Sequence, residues 1–391
     1  MIKQQTRVRL PLDLWLFGFT LLLIVIGLWM VFDSSYAKTL DSTKLGHDAF
    51  YFLKKQAFGA VLGIAAMFGV LKLGYARLRS IAVPLMFVSI VLLCFVWIPH
   101  VGIRQNNANR WINLGFIQFQ PSELTKLALV LYIARLLSRP KADAELHETR
   151  LGPPLFMTAI AVLLIEREPD LGTAAVLFVS VMTQLFLAGA RKRHLAAILG
   201  AVALLGAFVL LIGMATGKSS HASGYRAGRI TTFLHPDADK KGNGYQVFHS
   251  RLAVGSGGWT GMGFGQGKEK LYLPQANTDF IAATVAEETG FAGMVTLLTL
   301  LLVVGWRGFH IAYHARERFG ALLAGGIVSL ICWQALVNIA VATASIPATG
   351  VPLPFISFGS SSLIFLLTGI GILLSIAQHG TAAPKAAGEQ K

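Results

Sequence analysis

Charge is scarce in this sequence. Only 14% of its 391 residues are Asp, Glu, Lys or Arg, against about 25% in an ordinary soluble domain. A folded chain of this composition cannot cover itself with polar side chains in water. Cysteine is scarcer still: Cys94 and Cys332 both lie inside apolar runs, which excludes a disulfide-stapled secreted scaffold. Acidic residues number 19 against 34 Lys plus Arg, a formal charge of +15. No nucleotide-binding signature is spelled out. Gly261 to Lys270 is glycine-rich, but Lys268 is followed by Glu269, and the leading glycine position of a P-loop is Met262. His310 and His314 are spaced i,i+4, yet Ile311 stands where a zinc protease carries its glutamate. No internal repeat is visible.

The chain has hydrophobic length instead. Hydrophobic residues make up 54% of it, the mean hydropathy is +0.61, and apolar stretches lie near 13–33, 49–71, 80–98, 120–138, 153–166, 171–189, 195–216, 280–305, 319–343 and 359–378. A membrane crossing takes about 20 such residues. The expectation is an all-α integral membrane protein with about ten transmembrane helices, forming one polytopic domain over 1–378, followed by a flexible polar tail at 379–391. The first apolar run follows Lys3, Arg7 and Arg9 and continues to about Phe32, too long for a signal-peptide core, so it reads as a retained span. The fourth and fifth stretches are irregular, and charge at membrane depth is tolerated only where it lines a cavity.

Short loops set the orientation. With the N-terminus inside, internal loops hold Lys72, Arg77 and Arg79, then Arg135, Arg139, Lys141 and Arg150, then Arg191, Lys192 and Arg193, then Arg307, Arg316 and Arg318; the short external loops are poorer in basic residues. This bias predicts a multi-pass membrane protein with both termini cytoplasmic, and it explains the positive charge without nucleic acid. The external loop at 217–279, between spans seven and eight, is about ten times the usual connection length, which favours a functional or partly folded element. Its glycines, from Gly255 to Gly267, would let backbone pass close to a ligand.

Three charged constellations stand at predicted external helix starts. Leu273 to Phe280 leads into the eighth span, which carries Glu287 and Glu288. Asp279 there either caps the helix or acts as a general base at the water–lipid boundary. Gln120-Pro121-Ser122-Glu123 opens the fourth span, with Lys126 on the face of Glu123. Lys126 either snorkels to the surface or faces an external cavity and receives phosphate. Glu166 to Thr173 makes a tight turn before the sixth span, explained by capping through Asp170 or by a cavity. Arg110 and Arg229 are solvated arginines or planar forks for phosphate. Glu288, deep in an apolar helix, needs a polar cavity or a basic partner.

The chain resembles the SEDS family (shape, elongation, division and sporulation) from its first span to its last. The resemblance rests on Gln120-Pro121-Ser122-Glu123, Glu168-Pro169-Asp170-Leu171-Gly172-Thr173, Leu273-Pro274 through Asp279-Phe280, Glu287-Glu288-Thr289-Gly290 and the proline-rich Pro347 to Ser362 segment. Gly244-Tyr245-Gln246 and the run from Gly258 to Gly265 are closer to its FtsW and SpoVE members than to RodA. Two family positions differ: Asn277 replaces a histidine before Thr278-Asp279-Phe280, and Thr289 replaces a leucine.

The resemblance implies a ten-span fold and a peptidoglycan glycosyltransferase acting on lipid II at the outer face of the cytoplasmic membrane. Asp279 inherits the essential aspartate's role. It would deprotonate the 4-hydroxyl of an incoming lipid II as that oxygen attacks the donor's anomeric carbon with inversion. Lys126, Arg110 and Arg229 are then candidates for holding pyrophosphate, while Glu123, Asp170 and Glu288 would orient basic residues or sugars. No ATP is needed, since lipid II brings its own leaving group, and a divalent cation could share the charge. The expected partners are lipid II, the lipid-linked glycan strand, membrane lipids, a class B penicillin-binding protein and other division or elongation proteins. The alternatives are a flippase for lipid-linked precursor, which intramembrane charges and broken spans also suit, and a scaffold that recruits division enzymes.

Overall fold

The computed structural model describes residues 11–43, 46–98, 102–105, 108–113, 118–138, 151–216, 228–229, 232–233 and 244–380. The helices are α1 (Leu14–Leu40), α2 (Tyr51–Leu73), α3 (Tyr75–Phe95), α4 (Pro121–Leu137), α5 (Gly152–Arg167), α6 (Leu171–Leu187) and α7 (Lys192–Thr216). They continue with α8 (Tyr245–Ser256), α9 (Glu269–Tyr272), α10 (Ile281–Tyr313), α11 (Arg318–Ala342) and α12 (Ser360–Gly380). Setting aside α8 and α9, these fall on the apolar stretches of the sequence. Six of them, α1, α2, α3, α10, α11 and α12, are long and apolar enough to cross a membrane. The expected polar tail lies outside the described residues beyond Gly380.

Burial separates an inner set of helices from an outer one. The most apolar windows of α11 and α12 are 72% and 67% buried, against 28% for α3 and α10, so α11 and α12 run through the centre while the others present apolar faces outward to lipid. α4 is also central, buried along nearly its whole length. It has 17 residues, α5 has 16 and α6 has 17. A helix of that size is about 25 Å long, short of a bilayer core of about 30 Å. Their polar ends are therefore recessed, and a hollow forms there.

Local sequence explains the ends. Pro121 occupies the first turn of α4 and Glu123 sits beside its positive end. Asp170 accepts from the Thr173 amide at 3.2 Å to start α6. Asp13 accepts from the Leu16 amide at 3.1 Å and from Arg307 Nε at 2.7 Å, tying the start of α1 to α10. The link between α3 and α4, where hydrophobicity signals no element, is a small antiparallel sheet of β1 (Gly102–Gln105), β2 (Ala108–Asn113) and β3 (Gln118–Phe119) in that order.

α10 is broken at Gly290, whose φ of 65° and ψ of −163° leave the helical region. The glycine-rich loop repairs the break. Met262 and Gly263 amides donate to the Glu287 and Glu288 carbonyls at 3.0 Å each, and the Phe291 and Ala292 amides donate back to Gly258 and Trp259 at 2.9 and 3.1 Å. A Cβ on Gly290 would meet Thr260 N and Trp259 C, each at 2.8 Å. The glycines of this run thus admit a close backbone approach, as their composition suggests, and the backbone they approach is that of the interrupted span.

Candidate active site

Five helices begin around one cavity of about 470 Å³, which takes its walls from the starts of α2, α4, α6 and α12 and from Asp279, just ahead of α10. Helix starts carry unpaired N–H groups and a partial positive charge. Arg110, Arg229 and Lys55 add full charges to the same walls, and Glu123, Asp170 and Asp279 supply carboxylates. A cavity so built favours an anion.

Asp279 does not cap α10, whose N-cap is Phe280 and has no side-chain cap bond. Its main chain is held firmly: the Asp279 carbonyl accepts from Asn338 Nδ2 at 2.9 Å, Ser357 Oγ donates to the Thr278 carbonyl at 2.6 Å, and the Phe358 amide donates to the Asn277 carbonyl at 2.8 Å. The half-buried carboxylate has no hydrogen-bond partner among the described residues and lines the cavity. Burial pushes its pKa up to about 6; Arg110 pulls against this, Asp170 adds to it, and Arg229 also opposes it. Such a carboxylate is ionised at neutral pH yet more basic than an ordinary aspartate, as a general base should be.

Arg110, on β2, is locked to the turn between α5 and α6. Its Nε donates to the Glu168 carbonyl at 3.0 Å, its Nη2 to the Pro169 carbonyl, and its Nη1 stands 3.7 Å from Asp170 Oδ2. Asp170 therefore both caps α6 and steadies a cavity arginine. Arg229 donates through Nη1 to the Ala348 carbonyl at 2.6 Å. Glu168, fully buried, has no partner for either carboxyl oxygen among the described residues. Burial, with Asp170 adding and Arg110 opposing, pushes its pKa up to about 9, so it is neutral beside the arginine it supports.

Two predicted site residues fall elsewhere. Lys126 neither snorkels nor lines the main cavity. It is buried behind Glu123, with Nζ 2.9 Å from Glu123 Oε1 and 3.0 Å from Gln334 Oε1, and borders a smaller hollow among α4, α11 and α12. One turn of helix separates it from the cavity wall, and the intervening carboxylate takes its charge. Glu288 does find a basic partner, but not one of the cavity cations. Lys270 Nζ lies 2.6 Å from Glu288 Oε1 and 2.7 Å from Asp33 Oδ2 on α1. Burial works to lower the Lys270 pKa, and its bonds to Asp33 and Glu288 outweigh it and raise the pKa. Glu287 Oε1 accepts from the Lys268 and Glu269 amides at 2.6 and 2.9 Å, capping α9. The pair pins the glycine-rich loop to α10.

Sequence reasoning missed Lys55, Tyr51 and the first turn of α12. A lysine pair one turn inside an apolar stretch was the available signal for the first. Asn338, which donates to both the Asp279 and Val351 carbonyls at 2.9 and 2.7 Å, is with Gln334 one of two amide side chains in a long apolar helix and could have been marked on the same ground. For a divalent cation, the described residues bring no three His, Cys, Asp or Glu side chains together. Asp170 and Asp279 would offer two carboxylates, enough for a magnesium-type ion only with phosphate oxygens from a substrate.

A lipid-embedded helical bundle enclosing a recessed, positively charged cavity with one poised carboxylate defines a polytopic membrane protein with an internal site for an anionic ligand. The chain belongs to the cell cycle protein family of FtsW, RodA and SpoVE, whose model matches residues 13–382. It is 39% identical to stage V sporulation protein E of Bacillus subtilis over 94% of this chain and 97% of that protein. It is 38% identical to the probable peptidoglycan glycosyltransferase FtsW of Geobacter metallireducens over 95% of this chain and 96% of that protein. Among solved structures, it is similar to a chain of a peptidoglycan synthase complex that coordinates polymerization and crosslinking, at a TM-score of 0.74 and 30% identity, covering 94% of this chain and 98% of that one. The rod shape determining protein RodA of Thermus thermophilus matches at a TM-score of 0.68 and 28% identity, covering 96% of this chain and 99% of that one. The expected family and multi-span membrane fold are borne out.

Proposed function

We propose that this protein is a peptidoglycan glycosyltransferase that polymerises lipid II into glycan strands at the outer face of the bacterial cytoplasmic membrane, with Asp279 as general base. The observation that carries the reading is the meeting of a basic carboxylate, unpaired among the described residues, with Arg110, Arg229 and five helix starts in one cavity. The acceptor's 4-hydroxyl oxygen forms a bond to the donor's anomeric carbon as its proton passes to Asp279. The bond from that carbon to the donor's pyrophosphate breaks, the electron pair leaves with the pyrophosphate, and the configuration inverts. Arg110 and Arg229 stabilise the departing charge, and Asp170, Glu168 and the Pro169 carbonyl keep Arg110 aimed. Lys126 acts as a buried strut behind Glu123 on the cavity wall, and Glu288 acts on the loop that leads to Asp279.

The basic internal loops support cytoplasmic termini, which puts the starts of α2, α4, α6, α10 and α12 outside. A class B penicillin-binding protein as crosslinking partner belongs to the same proposal, supported by likeness to a chain of the synthase complex. The cavity's charges gather at one end of the bundle, which favours the polymerase over a flippase, for which a midplane site with access to both sides is expected. The test is purified protein with lipid II in detergent, with and without the partner transpeptidase, assayed for glycan chains on gels. Polymer from the wild type and none from Asp279→Asn is the expected result. Lipid movement in vesicles with no polymer from either would replace the polymerase with the transporter.

A further inference from the structure

The cavity holds a second group of anion-binding features apart from the two arginines. Lys55, one turn into α2, is half-buried on the cavity wall, with Nζ 2.7 Å from Tyr51 Oη and 4.4 Å above the Tyr51 ring. Among the described residues no carboxylate pairs with it. The first turn of α12 stands beside it, with Ser360 Oγ donating to the Lys55 carbonyl at 2.9 Å. This closeness depends on Gly59, where a Cβ would meet Ser360 Cα at 2.8 Å. The amides of Ser360, Ser361 and Ser362 have no backbone acceptor among the described residues. Ser362 is only 8% exposed and lines the cavity, and its Oγ has no partner among the described residues. A buried hydroxyl left unpaired is costly, and a phosphate oxygen reaching this one would relieve that cost. A cation, a helix start of three open amides and an orphan hydroxyl together match the oxygens of a phosphate.

The reaction proposed above supplies a reason for two such places, and the inference rests on that reading. Donor and acceptor each carry a pyrophosphate, and both must be bound at once. The donor's lies at the reacting carbon, next to the base. The acceptor's is separated from its attacking hydroxyl by the length of its own disaccharide, so it must bind away from the base. Asp279 feels Arg110 and Arg229, which belong to the donor's end. We propose that Lys55 and the first turn of α12 form a second pyrophosphate subsite, which holds the lipid-linked acceptor while Arg110 and Arg229 hold the donor.

The purified full-length protein in detergent is titrated with farnesyl pyrophosphate, and bound equivalents are counted by phosphorus NMR. Two equivalents are expected for the wild type, one for Lys55→Gln, one for Arg110→Gln and two for Lys55→Arg, which also reports that the site still folds. Ser362→Ala weakens the equivalent that Lys55→Gln removes. In the polymerisation assay, Lys55→Gln raises the half-saturating lipid II concentration about tenfold, the loss of one charge-assisted bond, with a smaller change in the limiting rate. A single equivalent in the wild type, or two in Lys55→Gln, overturns the proposal. Displacement by phosphatidylglycerol as readily as by farnesyl pyrophosphate overturns it too, by assigning the site to membrane phospholipid. If Asp279→Asn still polymerises while Lys55→Gln loses one equivalent, the base assignment fails and the subsite stands.

Discussion

Replacing Asp279 by asparagine separates a catalytic carboxylate from a structural one. The substitution keeps shape and leaves the main-chain bond from Asn338 in place, and it deletes no side-chain hydrogen bond among the described residues. A general base contributes about 100- to 10,000-fold, equivalent to about 3–5 kcal/mol of barrier, so the polymerisation rate should fall by that factor. Stability should move the other way. The folded carboxyl has its pKa raised from 3.8 to about 6, so the native state holds the proton more tightly than the unfolded chain does. Wild-type stability is therefore greatest below about pH 4, falls as the pH rises to about 6, and is level above that. A rise of this size corresponds to at most about 3 kcal/mol. Asparagine lacks this penalty, so the variant should melt above the wild type at pH 8, and the gain should vanish near pH 4. The wild-type rate should rise with pH through about 6 while the residual rate of the variant stays flat. Both readouts come from one detergent preparation, by glycan gel and by thermal unfolding. A full rate in Asp279→Asn, or a lost rate accompanied by a lower melting temperature, would refute the argument.

Three further perturbations have definite signs. Lys126→Ala leaves the buried Glu123 carboxylate without its 2.9 Å partner and should cost about 3–5 kcal/mol of stability, whereas the pair Lys126→Met with Glu123→Gln should regain most of it in thermal unfolding. Gly290→Ala should destabilise by several kcal/mol, because its positive φ and the backbone of Trp259 and Thr260 both resist a Cβ; Gly18→Ala, with open space around it, should be near neutral in the same melt. Glu168→Gln should flatten the pH dependence of unfolding. With its carboxyl pKa raised from 4.5 to about 9, wild-type stability should fall by about 1.4 kcal/mol per pH unit across that window as pH rises, and a variant that keeps the same slope would place the titration elsewhere.

The spans were legible in the sequence because a helix in lipid must be largely apolar: all ten apolar stretches form helices, six of them long and apolar enough to cross a membrane. The small sheet between α3 and α4 was not, since hydrophobicity carries no trace of short strands paired outside the bilayer. Asp279, Asp170 and Glu123 could be marked one by one as charges at helix starts, and Arg110 and Arg229 as arginines suited to phosphate; the fold brings all five to one cavity. Lys126 was misjudged by less than a turn of helix: residue spacing gives its face but not that Glu123 stands between it and the opening. Glu288 was recognised as needing a base, but its partners, Lys270 and Asp33, are 18 and 255 residues away in sequence. No local pattern joins them. The glycine-rich loop was the hardest to read, because a backbone that mends a broken helix and a backbone that cradles a ligand call for the same residue.

Much of the cavity's positive potential belongs to peptide groups at helix ends, which no point mutation deletes and no ordinary pH titrates. An alanine scan of the walls will therefore undercount what attracts a diphosphate, and the pH response of the enzyme will follow its few acids rather than its attraction for anions. Residual affinity in a variant stripped of its arginines would be the fingerprint of that permanent contribution.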